Sequence, residues 1–245
     1  NWGLVGYKTS PFQRFFNLIG YTPVLDNPDS WEGWHWGATH TWGFYWRLGM
    51  PEPYDMLEDA LKHAEMIVYW SNDPDTTRGI YTGYDSAIWR QWLKEKGVKM
   101  IFIDPFHNYT AAAMGGKWLA PRPGTDAALA MAIAHVWITE KTYDRRYVAD
   151  RTVGFDEFEA YVLGQSDGVA KTPNWAAMET GIPARTIVAL AREWARKRTM
   201  LAAGARGGEG GACRTAFGTE WARMMVLLQA MQGLGKPGVG IWGTA

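Results

Sequence analysis

Three short apolar runs constrain this chain more than any other feature: Met66-Ile67-Val68-Tyr69-Trp70, Lys99-Met100-Ile101-Phe102-Ile103 and Thr199-Met200-Leu201-Ala202-Ala203. Runs of this kind offer no side to water, so each reads as a parallel strand covered by helices on both faces. The intervening segments supply the helices. Tyr54, Leu57, Leu61 and Ala64 share a helical face before the first run, and Ile88, Trp89, Trp92 and Leu93 mark a helix before the second. Thr125 or Asp126 can cap a helix whose stripe is Leu129, Ile133, Val136 and Trp137. Thr172-Pro173 opens another that Gly181 closes, and Pro183 begins one carrying Ile187, Leu190, Ala191 and Trp194. A last helix with Phe217, Trp221, Met224, Leu228 and Met231 stops at Gly233. The expected fold class is α/β, a doubly wound, mostly parallel sheet with helices on both faces, Rossmann-like in architecture. Residues 53–245 form this region; residues 1–52, with a short helix over 11–19 and a long loop, join the same domain.

Composition narrows the function. A chain of 245 residues is long enough for a substantial core. Its 25 basic and 25 acidic residues provide no electrostatic grip on nucleic acid or an anionic membrane surface. No apolar stretch approaches the eighteen or so residues of a membrane span. The single Cys213 excludes a disulfide framework or a cysteine-ligated cluster within the chain. The start at Asn1-Trp2-Gly3, without Met or a signal-like segment, is expected of an internal piece of a longer protein, with a cytoplasmic location as the default expectation.

The strand ends carry the chemistry. They run into Ser71-Asn72-Asp73-Pro74-Asp75-Thr76-Thr77, into Asp104-Pro105 and into a glycine-rich loop containing Arg206. In open α/β sheets ligands sit at the carboxyl edge of the strands, and helix N-termini there favour phosphates, so a nucleotide or dinucleotide is the expected ligand. An Asp at a strand end can accept from ribose hydroxyls, and Asp126 can read the donor edge of a guanine. Asp73, Asp104 and Asp126 serve equally well as turn or helix caps, and the sequence leaves both roles open. Gly238-Val239-Gly240-Ile241-Trp242-Gly243 matches a dinucleotide fingerprint but follows a helix instead of a strand, and is set aside. No Walker sequence occurs, and Ser30 lacks the flanking glycines of a hydrolase nucleophile.

Between Asn27 and Gly43 lie Asp29, Ser30, Trp31, Trp34, His35, Trp36, His40 and Trp42. This is either a Trp-rich packed loop or an active-site loop, since each of these residues brings a polar atom that needs a partner once buried.

The series Trp70-Ser71-Asn72-Asp73-Pro74-x-x-Thr77, Ile103-Asp104-Pro105, Pro123-Gly124-Thr125-Asp126 and Gly235-Lys236-Pro237-Gly238 resembles, in order, the molybdopterin-guanine-dinucleotide enzymes of the dimethyl sulfoxide reductase family. The resemblance implies molybdenum, with tungsten as the alternative metal, held by two molybdopterin guanine dinucleotides and one protein side chain. Ser30 occupies the place of the family's Ser ligand, and a hard, high-valent metal ion suits a Ser oxygen. By the same likeness Trp70, Ser71, Asn72, Asp73 and Thr77 meet cofactor phosphates, Asp104 and Pro105 the ribose, and Gly124 with Asp126 the guanine. Arg206 is a further cofactor contact, and His107 stands where several relatives have an Arg. The crowded loop from Ser30 to Gly37 is most similar to the family branch that moves a hydroxyl between polyhydroxybenzenes without net redox change. That likeness implies Asp29 as acid or base, Tyr7, Trp31 and Trp34 around a small phenolic substrate, and a partner subunit carrying the iron-sulfur clusters. The alternatives are an S- or N-oxide reductase of the same family and a non-catalytic module that only holds the guanine dinucleotide.

Overall fold

The computed structural model describes residues 14–20, 32–42, 56–76, 85–203 and 211–241. Its strands are β1 (Met66–Trp70), β2 (Lys99–Ile103), β3 (Lys117–Leu119) and β4 (Thr199–Ala202). They form one sheet in the order β3-β2-β1-β4, with every pairing parallel. The helices are α1 (14–19), α2 (Glu32–Trp42), α3 (Met56–His63), α4 (Asp85–Glu95), α5 (Tyr109–Met114) and α6 (Asp126–Glu140), followed by α7 (Arg145–Arg151), α8 (Phe155–Val162), α9 (Pro173–Thr180), α10 (Ala184–Trp194) and α11 (Gly218–Met231). A 3-10 turn spans Gly211–Arg214.

Successive strand residues alternate between two cores, as the pleat requires. Met66, Val68, Trp70, Ile101, Ile103 and Leu201 face a large core shared with α2, α6, α9, α10 and α11. Ile67, Tyr69, Met100, Phe102, Met200 and Ala202 face a smaller one built with α3, α4 and α5. The sheet is thus buried on both sides and doubly wound, as expected. Local start and stop signals also act as anticipated. The Thr172 hydroxyl accepts from the Trp175 amide at 3.1 Å, and Gly181 ends α9 at φ +77°. Among the described residues no helix is long and apolar enough to cross a membrane.

Two features depart from the expectations. The sequence shows no run for β3, because three residues on a sheet edge leave no periodicity. The stretch read as a loop up to Gly43 is helical from Glu32 to Trp42. Glycine costs a helix interior about 1 kcal/mol relative to Ala, and Gly33 and Gly37 therefore argue locally against this helix. Tertiary packing decides otherwise. A Cβ on Gly33 would lie 2.0 Å from the Cys213 carbonyl oxygen, and one on Gly37 would lie 2.3 Å from that of Thr219. Only glycine lets α2 lie this close to the 3-10 turn and α11. Trp34, between the two glycines, is 1% exposed and its ring sits 5.7 Å from that of Trp221.

Candidate nucleotide-binding site

The strand order reverses direction at β1. Chain progression runs from β1 outward to β2 and β3, then returns to place β4 on the other side of β1. Loops leaving strands on either side of such a reversal diverge and open a crevice at the carboxyl edge. A cleft of about 410 Å³ lies at that edge, lined by Ser71, Asp73, Thr76, Asp104, Pro105, Phe106, Pro123, Gly124, Asp126 and the segment Gly211, Ala212, Arg214 and Thr215.

Ser71 joins its two sides. It adopts the left-handed region at φ +50°, uncommon for a non-glycine residue. Its amide donates to the Ile103 carbonyl at 2.7 Å, holding the loop to the neighbouring strand. Its carbonyl accepts from the Gly211 amide at 2.9 Å, and its Oγ from the Ala212 amide at 2.8 Å. The turn after β4 therefore hangs from the loop after β1. Asn72 strengthens the junction, donating from Nδ2 to the Ala202 carbonyl at 3.4 Å.

The strand-end carboxylates divide into two kinds. Asp73 organises its surroundings: Thr110 donates to Oδ1 through its amide at 3.0 Å and its hydroxyl at 2.7 Å, while the Thr76 hydroxyl donates to Oδ2 at 2.6 Å. Burial pushes this carboxyl up, but these bonds, with one from the Tyr109 amide, outweigh it and hold Asp73 below the usual carboxylate value. Asp73 thus anchors the start of α5, the capping role the sequence left open.

Asp104 and Asp126 behave in the opposite way. Burial raises Asp104, and the Phe106 amide and Asn108 side chain offset this only in part, with the charge of Asp73 adding to the rise. Burial also raises Asp126, opposed by a bond from Trp70 Nε1 to Oδ1 at 2.9 Å and reinforced by the charge of Asp104. Two carboxyl groups lining one cleft are held above their ordinary values. Donors supplied by a ligand would stabilise both charged forms. Gly124, at φ +79°, carries the chain past the cleft in a conformation that side chains disfavour.

Of the expected cofactor contacts, the cleft brings together Ser71, Asp73, Asp104, Pro105, Gly124 and Asp126. Three do not line it. Trp70, expected to meet the cofactor, is 0% exposed and donates from Nε1 to Asp126. Asn72 is turned toward β4, and His107 is exposed with its ring against Trp118 at 5.3 Å. Trp34, expected beside the substrate, has its ring in the core against Trp221 of α11. Tyr7, Asp29, Ser30, Trp31, Thr77 and Arg206 lie outside the described residues. Sequence reasoning missed Arg214 and Thr215. They follow the glycine-rich run by only a few positions, but Arg206 inside the run drew the assignment.

Comparison with known proteins gives the family. A family profile described as molybdopterin oxidoreductase matches residues 34–244. The chain belongs to the molybdopterin oxidoreductase family. Among curated members of that family, the pyrogallol hydroxytransferase large subunit of Pelobacter acidigallici is 58% identical over 99% of this chain and 28% of its own length. A dimethyl sulfoxide/trimethylamine N-oxide reductase of Rhodobacter capsulatus is 37% identical over 73% of this chain and 22% of its own. This chain therefore spans less than a third of the molybdopterin oxidoreductases it matches. Acetylene hydratase from Pelobacter acetylenicus shares the fold, with a TM-score of 0.62 at 22% identity over 94% of this chain and 28% of that one.

Proposed function

We propose that this chain is the active-site and dinucleotide-binding part of a molybdenum enzyme carrying two molybdopterin guanine dinucleotides. In this reading the enzyme moves a hydroxyl between polyhydroxybenzenes, converting pyrogallol to phloroglucinol without net redox change. One observation carries the proposal: 58% identity across 99% of the chain to a pyrogallol hydroxytransferase large subunit. The cleft fits the nucleotide end of the cofactor. Asp126 and Gly124 would hold the guanine, whose adjacent N–H donors match a carboxylate that burial raises despite its bond from Trp70. Asp104 and Pro105 would meet the ribose, and Ser71, Thr76 and Thr77 with Arg214 the phosphates. Ser30 would be the protein ligand to the metal. When bound, the metal and its pterins supply the centre at which the hydroxyl is exchanged.

Asp29, adjacent to that ligand, would take and return the phenolic proton, with Tyr7 and Trp31 beside the ring. The relative's designation as a large subunit supports a second subunit, which in this reading carries the iron-sulfur clusters. The likeness to dimethyl sulfoxide/trimethylamine N-oxide reductases supports a second reading, oxygen transfer from an S- or N-oxide.

The deciding experiment uses the full-length enzyme with its partner. Metal, pterin and guanine content are measured, and turnover is assayed with pyrogallol plus a tetrahydroxybenzene co-substrate, then with dimethyl sulfoxide plus a reduced viologen. Phenol conversion is expected. Sulfoxide reduction without it would replace the first reading by the second. Asp29→Asn should lower phenol turnover at least about tenfold with cofactor content unchanged, since one general acid or base contributes a hundredfold or more.

A further inference from the structure

The Gly33 contact has meaning beyond packing because of what it touches. The Cys213 carbonyl that a Gly33 Cβ would meet at 2.0 Å belongs to the 3-10 turn Gly211–Arg214, whose residues Gly211, Ala212 and Arg214 line the cleft. The same carbonyl would meet a Cβ on Gly218, the first residue of α11, at 2.1 Å. It is thus gripped between two glycines, one on each helix. A Cβ does not come this close to backbone, and backbone cannot rotate aside as a long side chain can. Either α2 or the cleft wall must move if Gly33 acquires a methyl group. Four residues on, Gly37 repeats the close approach against Thr219 and the Ala222 methyl carbon at 2.7 Å. Tilting α2 about one contact therefore strains the other.

We infer that Gly33 is a positioning residue that sets the spacing between the start of α2 and the wall of the nucleotide cleft. Helix α2 begins at Glu32, two positions after Ser30. The inference rests on the proposed reading, in which Ser30 binds the metal and the cleft binds guanine. In that reading one cofactor is held at both segments, so a shift of either relative to the other moves the metal ligand with respect to the anchored nucleotide. The Gly33–Cys213 contact is where their separation is gauged.

The test compares Gly33→Ala, Gly37→Ala and Ser30→Ala in the full-length enzyme with its partner subunit. Guanine content, the electron paramagnetic resonance and X-ray absorption spectra of the metal, and turnover are recorded for each. Gly33→Ala is expected to keep its guanine while the metal spectrum changes. Turnover should fall about a hundredfold, the scale reached when a reacting group is misplaced by an ångström. Val162→Ala, a core truncation on α8, serves as the control: its Tm should fall while the metal spectrum stays that of the wild type. A wild-type spectrum in Gly33→Ala overturns the inference. An unchanged spectrum in Ser30→Ala overturns Ser30 as ligand and the inference with it, whereas a changed spectrum in Ser30→Ala beside a wild-type one in Gly33→Ala overturns the inference alone. If Gly33→Ala does not accumulate, Gly37→Ala is judged by the same criterion.

Discussion

The loop after β1 and the Asp104–Asp126 pair line one cleft, yet they are built on opposite principles. In the loop Asp73 is fully engaged and Asp75 is paired, although Asp75 Oδ2 and Arg90 Nε and Nη1 are buried without a hydrogen-bond partner. Asp73 accepts from Thr76, Tyr109 and Thr110, and Asp75 pairs with Arg90, itself 1% exposed. Burial raises Asp104 and Asp126 by more than the bonds from Phe106 and Asn108 to the one and from Trp70 to the other lower them. Hydrogen bonds outweigh burial at Asp73, and burial outweighs hydrogen bonds at the pair. Mutations should therefore cost stability on one side and ligand binding on the other.

The largest effect is expected at Arg90. Arg90→Met leaves Asp75 without its buried partner and should lower the unfolding free energy by about 3–5 kcal/mol, measured by urea denaturation. Adding Asp75→Asn should recover part of that loss. A double variant as unstable as the single would show that Arg90 stabilises through packing alone. Asp73→Ala comes next, at about 1–2 kcal/mol, the scale of a lost cap with more than one bond. Asp126→Asn sits at the far end: stability should change by no more than about 0.5 kcal/mol, while guanosine diphosphate binding to cofactor-free full-length protein should fall at least about tenfold. Equal stability losses at Asp73 and Asp126 would erase the distinction.

Acid gives an independent reading of the same contrast. Asp73 is held below its unfolded value, so its contribution is present above the ordinary Asp range and is lost as pH falls through its folded value. Asp104 and Asp126 are held above theirs, so what they contribute is complete below the ordinary range and is lost as pH rises through their folded values. Relative to wild type, Asp73→Asn should lose most stability at neutral pH and least in acid. Asp126→Asn should gain relative to wild type as pH rises from that range toward neutrality. Urea midpoints measured across the acid range check both slopes.

Much of the sheet was legible because burial on two faces leaves uninterrupted apolar runs, as in Met66–Trp70 and Lys99–Ile103. The helices after Thr125 and Thr172 were legible from their start residues. The cleft was readable in half: Ser71, Asp104, Gly124 and Asp126 stand at strand ends or loop turns where chemistry is displayed. Arg214 and Thr215 were not, because they reach the cleft only through the bonds of Gly211 and Ala212 to Ser71, which span more of the chain than any local pattern. Helix α2 was hidden for a related reason. Gly33 and Gly37 weaken a helix locally and justify themselves only against a carbonyl and a helix some 180 residues later. Trp34 has the composition of a ligand-stacking residue, and only its place under Trp221 assigns it to the core.

The bond between the Ala212 amide and Ser71 Oγ closes a loop of 141 residues. Pairings so distant form late, because chain closure must precede them. During synthesis, a chain grown only as far as Ala203 already possesses Asp104, Asp126 and all four strands of the sheet, but lacks the wall from Gly211 to Thr215. Such a nascent chain has half a binding site and nothing to shut it with. Closure of the cleft therefore waits until the chain has been made past Thr215.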